Sequence, residues 1–303
     1  PSNILTGDQT KRGNRMIAQF TLTVSEGKRI IAKAVAKMPP VKRALYGGRV
    51  LLKGGTTVSA VSEEIGGPPL GISGRLTPSG ARTAADGSVP HCVVIERGIA
   101  VQADDYLEAL VESMGPKDIV VTGANLIDHS GGAAILSGGP LGGAAGRIIS
   151  GLAAQGVQVI IACGVEKMGP GLVADAISAC GRSKITGAMG MAVGLIPLQG
   201  ALVTEVQACM MLARVNATVV ACGGVFGAEG GTTIVAEGDA EDLANLIAVV
   251  KEVKGASLSG APRSLMDCAK GSTACRRHLA CDTLYAELLR PAAIGLSVAG
   301  EKG

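Results

Sequence analysis

The chain has 303 residues, 47% of them hydrophobic and 17% charged, enough apolar material for one large or two ordinary globular domains. A formal net charge of +3, no Trp, three Tyr and two Phe exclude a dedicated nucleic-acid binder, because neither a basic stripe nor a stacking platform is present. The longest apolar runs fall well short of the roughly 20 residues that a bilayer-spanning helix needs, and Lys11, Arg12 and Arg15 are not followed by an apolar signal core, so a cytoplasmic protein without a membrane partner is expected.

In chain order, residues 1–24 read as an N-terminal extension. Residues 25–46 follow as two helical pieces: Ser25 is a candidate cap, apolar residues recur at helical spacing from Ile30 to Met38, and Pro39-Pro40 breaks the run. A short strand at 49–53 runs into Gly54-Gly55-Thr56-Thr57 and a helix, the order of an α/β phosphate site. Residues 66–90 are rich in Gly, Pro, Ser and Thr and read as a loop carrying Arg75 and Arg82. Strands at 92–96, 118–122 and 157–163 alternate with helices near 104–114 and 141–154. That alternation predicts an α/β fold with a Rossmann-like, doubly wound parallel sheet over residues 25–184. Residues 185–258 give a βαββα order, with a capping box at Thr204/Gln207 and a helix opening at Asp239, and predict a smaller ferredoxin-like α+β domain. Residues 259–303 form a Cys-containing tail without clear architecture.

Gly54 and Gly55 let the backbone approach an anion, Thr56 and Thr57 offer hydroxyls, and the following helix N-terminus adds free N–H groups; Lys53 stands at the end of the strand. A tight turn with a helix cap is the bland account of the same residues. Glu166 and Lys167 follow the strand at 157–163, where an open α/β sheet holds its ligands; Glu166 is the first choice for a base, and a surface ion pair is the competing account. The Gly-rich segment 222–231 reads as a hairpin between two strands.

Residues 50–65 resemble the first phosphate loop and helix of ribose-5-phosphate isomerases and of the wider superfamily of glucosamine-phosphate deaminases, sugar-responsive sensor domains and CoA transferases. Residues 118–139 are similar to the second motif of those isomerases. The resemblance implies a ligand pocket built from Lys53, Gly54, Gly55, Thr56, Thr57, Thr122, Asn125, Ser137, Gly138, Gly139 and Arg147, with a sugar phosphate as ligand and no cofactor. The isomerases carry aspartates where this chain has Thr122 and Asn125, and a lysine where it has Ser137, so a standard ribose-5-phosphate isomerase is not expected. Asp128 joins Glu166 and Lys167 as an acid-base candidate, with a turn or cap as its bland account. The resemblance leaves open a divergent isomerase, lyase or transferase and a non-catalytic sugar-phosphate or nucleotide sensor, either one as a homo-oligomer. A third alternative, metal or iron–sulfur binding by Cys268, Cys275 and Cys281, has spacing that suits neither zinc nor a common ferredoxin pattern.

Overall fold

The computed structural model describes residues 15–84 and 88–266. Strand β1 (Met16–Leu22) leads through Thr23 into helix α1 (Val24–Lys37). Thr23, rather than Ser25, caps that helix, and Glu26 at the third helical position returns the bond to the Thr23 N–H, a complete capping box. Helix α2 (Pro39–Gly47) starts at the expected proline break and delivers the chain to β2 (Arg49–Lys53), which runs into α3 (Thr56–Glu64). A small hairpin, β3 (Gly74–Thr77) and β4 (Gly80–Thr83), interrupts the long loop before β5 (Cys92–Glu96) and β6 (Ile99–Gln102). Then come α4 (Leu107–Glu112), β7 (Ile119–Thr122), β8 (Leu126–Ile127), β9 (Ala133–Ser137), α5 (Gly143–Ala154) and β10 (Gln158–Ala162). The described chain closes with α6 (Val173–Ala179), β11 (Gly194–Leu198), β12 (Ala201–Val203), α7 (Glu205–Leu212), β13 (Asn216–Gly223), β14 (Gly231–Gly238) and α8 (Ala240–Val253).

The fold is α/β around a six-stranded mixed sheet of order β12-β10-β7-β2-β5-β6. Strands β2, β7, β10 and β12 are parallel and laid side by side in chain order, while β5 is antiparallel to β2 and β6 to β5. The sheet is therefore not the wholly parallel one expected from the sequence. Part of the departure is local: Arg97 and Gly98 both have positive φ, so a two-residue turn folds 92–102 into a hairpin and lays β6 antiparallel to β5.

Alternating side chains divide the core between the sheet's two faces. Val50 and Leu52 join Ile119, Val121 and Ile160 under α1, α3, α7 and α8. Leu51 and Val120 join Leu107, Leu110, Ile148 and Leu152 of α4 and α5 on the other face. At the amino edge, Asp118 is nearly buried and accepts from the Arg49 backbone N–H at 2.8 Å, the Arg49 guanidinium at 2.9 Å and the Gly115 N–H at 2.9 Å. This ties the starts of β2 and β7 together.

The boundary expected near residue 185 is crossed by strand pairing. β11 pairs with β9 and β12 extends the main sheet beside β10, so only β13 and β14 of the expected βαββα unit share a sheet. Their third strand is β1, drawn from the segment read as an extension. Its sequence already carries the period-two signal: Ala18 and Phe20 pack on the core and Leu22 is buried. Leu22→Ala should therefore lower unfolding free energy by about 2–5 kcal/mol, measured by urea denaturation, as expected for truncating a core leucine. A change within about 0.5 kcal/mol would mean that β1 is a dispensable arm.

Candidate functional site

Three parallel strands end at one edge of the sheet, and the residues that follow them converge there. Lys53 ends β2 and Gly54, Gly55, Thr56 and Thr57 follow it, Gly123, Ala124 and Asn125 follow β7, and Glu166 and Lys167 follow β10; together they line a cleft of about 510 Å³. The rest of the lining includes Lys28 from α1, Ser73 and Arg75 from the 72–76 segment, and His91.

The first loop is held by close backbone contact. The Gly54 N–H donates to the His91 carbonyl at 2.6 Å, and a Cβ on Gly54 would lie 2.4 Å from the Gly71 oxygen and 2.6 Å from the His91 oxygen. Only glycine fits without moving both neighbouring segments. Gly55 then adopts an extended backbone and caps α3 with no side-chain hydrogen bond. The first-turn N–H groups of a helix lack intrahelical acceptors, so this nine-residue helix turns its positive end toward the cleft. The Thr57 hydroxyl oxygen is buried with no hydrogen-bond partner among the described residues.

Lysines and carboxylates meet at the far wall. Both carboxylate oxygens of Glu166 are buried and accept no hydrogen bond among the described residues, while Lys28 Nζ lies 4.0 Å from Oε1. A second carboxylate, Glu205 at the start of α7, is nearly buried and accepts from the Val165 N–H at 2.9 Å. The two acids share one space: a Cβ on Gly164 would come 1.8 Å from Glu166 Oε2 and 2.8 Å from Glu205 Oε1, and one on Gly27 would come 2.4 Å from Glu205 Oε1. Glycine at 27 and 164 is what admits both side chains. Lys167 donates to the Ala124 carbonyl at 2.8 Å, tying the β10 and β7 segments together.

Burial sets the electrostatics. It pushes the Glu205 carboxyl up to about 7, with the Val165 N–H opposing and the Glu166 charge adding to the rise. It lowers Lys28, reinforced by the Lys167 charge and opposed by Glu166, and it lowers Lys53 as well. His91 is pushed down to about 4 by burial and by Lys53, against its bond to the Gly71 carbonyl at 2.9 Å. Because a carbonyl can only accept, His91 Nδ1 carries the proton of that bond, leaving Nε2 as the basic nitrogen, 3.4 Å from the Ser73 hydroxyl. The arrangement can attract an anion at the Lys53 and α3 side and accept a proton at Glu166.

Other expected site residues lie elsewhere. Thr122 faces the α5 side and donates to the Gly123 carbonyl at 3.2 Å. Asp128 is nearly buried and accepts from Val173 N–H at 2.7 Å, Ser130 Oγ at 2.7 Å, Gly132 N–H at 2.8 Å and Ser130 N–H at 2.9 Å. Those bonds, Val173 first, hold its carboxyl far below the usual range, so Asp128 organises a turn and is no acid-base group. Ser137 accepts weakly from Gly139 at 3.4 Å, Gly138 packs against Met191, and neither they nor Gly139 line the cleft. Arg147 is exposed on α5 and pairs with Glu108, so it too is absent from the pocket expected of it. Asn125 lines the cleft, but its side-chain oxygen already accepts from the Leu136 N–H at 3.1 Å. Cys268, Cys275 and Cys281 lie outside the described residues, among which no group of three or more His, Cys, Asp or Glu could hold a metal.

Compared with family models, curated proteins and solved structures, the chain finds no match.

Lys28, His91 and Glu205 did not emerge from sequence reading. Lys28 sits among ordinary polar positions of an amphipathic helix, and Glu205 in a helix first turn is fully accounted for by the macrodipole. Glu205 has a measurable signature. A carboxyl held near 7 when folded and 4.5 when unfolded stabilises the fold below about pH 4.5, and that contribution is lost as pH rises through about 7. His91 acts in the opposite sense: its stabilisation is present above its unfolded value of 6.5 and is lost as pH falls toward 4. Glu205→Gln, which keeps an acceptor for Val165, should remove a stability loss on the order of 3 kcal/mol between pH 5 and 8, read from denaturant midpoints. An unchanged slope over that pH range would show that Glu205 titrates as an ordinary carboxylate.

Proposed function

We propose that the cleft binds a phosphorylated small molecule and that Glu166 acts on it as a general base. The observation that carries this reading is the buried Glu166 carboxylate, which accepts no hydrogen bond among the described residues and faces the same cleft as Lys53 and the start of α3. An anion at the helix N-terminus gains from oriented N–H donors and from Lys53 at once. The bound molecule's remaining atoms would then lie toward Glu166, which has Lys28 Nζ 4.0 Å from Oε1 and Glu205 beside it as a proton-bearing acid. A Rossmann-like reading of the larger sheet agrees with this placement, since open α/β sheets take ligands beyond the carboxyl ends of their strands. The resemblance to sugar-phosphate isomerases points to the same ligand chemistry. The absence of acid-base side chains at Thr122 and Asn125 moves the base to Glu166.

The reading includes a homo-oligomer. β13 is an edge strand without a charged residue, and Val220, Val225 and Phe226 along it and at its tip are exposed, a surface that β proteins normally protect or pair.

Thermal-shift screening against sugar phosphates, nucleotides and CoA derivatives tests the proposal. A true ligand at about 100 times its dissociation constant adds about 2.7 kcal/mol of stability. That shift should vanish in Lys53→Met, persist in Glu166→Gln, and be absent for the dephosphorylated counterparts. Glu166→Gln should also abolish any conversion of that ligand seen with the parent protein. If no phosphate shifts the parent, the proposal fails.

A further inference from the structure

We propose that the phosphorylated ligand carries an apolar arm, which enters a second cavity on the α5 face of the sheet and passes Lys53 to reach it. This rests on the reading of the cleft as a phosphate site and adds the class of molecule that bears the phosphate.

The second cavity measures about 530 Å³ and lies among α5, the ends of β7 and β10 and the turn between β11 and β12. Its walls are chiefly aliphatic, with Ile148, Ile149 and Leu152 of α5 facing Val159 and Leu198. Space exists because α5 presents Ala145 and Ala153 where larger side chains would fill it. Lys53 and Ile135 line both this cavity and the cleft, so the two spaces adjoin across those side chains.

Side-chain parity explains the junction. Lys53 follows Leu51 by two residues and so shares its α5-facing side of β2, whereas the loop that begins at Gly54 opens the cleft. The Lys53 ammonium forms no hydrogen bond or ion pair among the described residues, which leaves it available to an anionic group at the boundary. Thr122, on the same side of β7, has already committed its hydroxyl proton to the Gly123 carbonyl.

The lining decides what the arm can be. Hydroxyls carried into this aliphatic space would find few partners, at a loss of roughly fivefold to 150-fold in affinity for each unsatisfied group. Methylenes would gain roughly fourfold in affinity apiece. A free sugar therefore suits the cleft but not the cavity, and an alkyl, acyl or prenyl-like chain suits the cavity. The volume lies within the range of small-molecule pockets.

Titration calorimetry with n-alkyl phosphates from methyl to octyl, beside the matching alcohols, separates the two claims. We expect methyl phosphate to bind and affinity to rise by about fourfold for each buried methylene until the cavity is filled. Ala145→Leu should shorten the chain length at which the rise stops while leaving methyl phosphate affinity unchanged. Because Ala145 is buried, Ala153→Phe at the exposed rim provides a second obstruction that the fold tolerates, and it should blunt the rise in the same way. Methyl phosphate binding with no dependence on chain length would overturn the arm and leave the phosphate site standing. Binding of alcohols but of no phosphate would remove the phosphate site and the joined ligand with it. If Ala153→Phe instead changes the molecular mass seen by sedimentation, the cavity is a subunit contact and the proposal falls.

Discussion

The parallel register of β2, β7 and β10 is the constraint on which the rest of the structure depends. Leu52 pairs with Val121, and Thr122 pairs with Ile161, so the three strands reach the same edge within a residue of each other. Asp118 sets the amino end of that register by binding both the backbone and the guanidinium of Arg49. A one-residue slip would exchange the faces presented by Val50, Leu51 and Leu52, turning the core of α1 and α3 toward α4 and α5. It would also separate the Gly54 loop from Asn125 and Glu166. Core packing and the assembly of the cleft are thus one geometric requirement.

Within the cleft the charges are divided between two walls. Lys53 and the start of α3 make one side cationic with no carboxylate partner among the described residues, and the opposite wall places two acids and Lys28 in a space that only glycine at 27 and 164 allows. Surface ion pairs such as Arg147 with Glu108 are half exposed and contribute little. The buried group is different: ionising a second carboxyl beside Glu166 is opposed by both desolvation and like charge, which holds a proton on Glu205 near neutrality. A stable core would be better served by apolar side chains there, and this cost is what supports the proposal of a ligand site.

Much of this was legible in the sequence where a local rule decides the structure. The strand, glycine loop and helix over 49–65 form as expected, because Gly54 is forced by the His91 carbonyl and the helix needs only its own termini. The capping box at Thr204 and the hairpin after β13 are likewise local. Misplacements occurred where the outcome depends on distant partners. β1 is an alternating strand whose mate, β14, lies more than 200 residues away, and β12 is three residues long and owes its existence to β10. Arg147, expected in the pocket, turns outward to Glu108, and Asp128 is consumed by the turn it organises. Glu205 illustrates the deeper difficulty: helix-terminal acids are common, and only the fold brings this one to Gly27 and Gly164.

The central claim is that an anion sits on the uncapped start of α3 beside Lys53, and backbone amide NMR tests it directly. Titrating inorganic phosphate into the uniformly labelled protein should shift the amide signals of Gly55, Thr56, Thr57 and Val58 together, along one saturable curve, with smaller changes at Asn125. Saturable shifts elsewhere with residues 54–58 unmoved, or no saturable shift at all, would contradict the account.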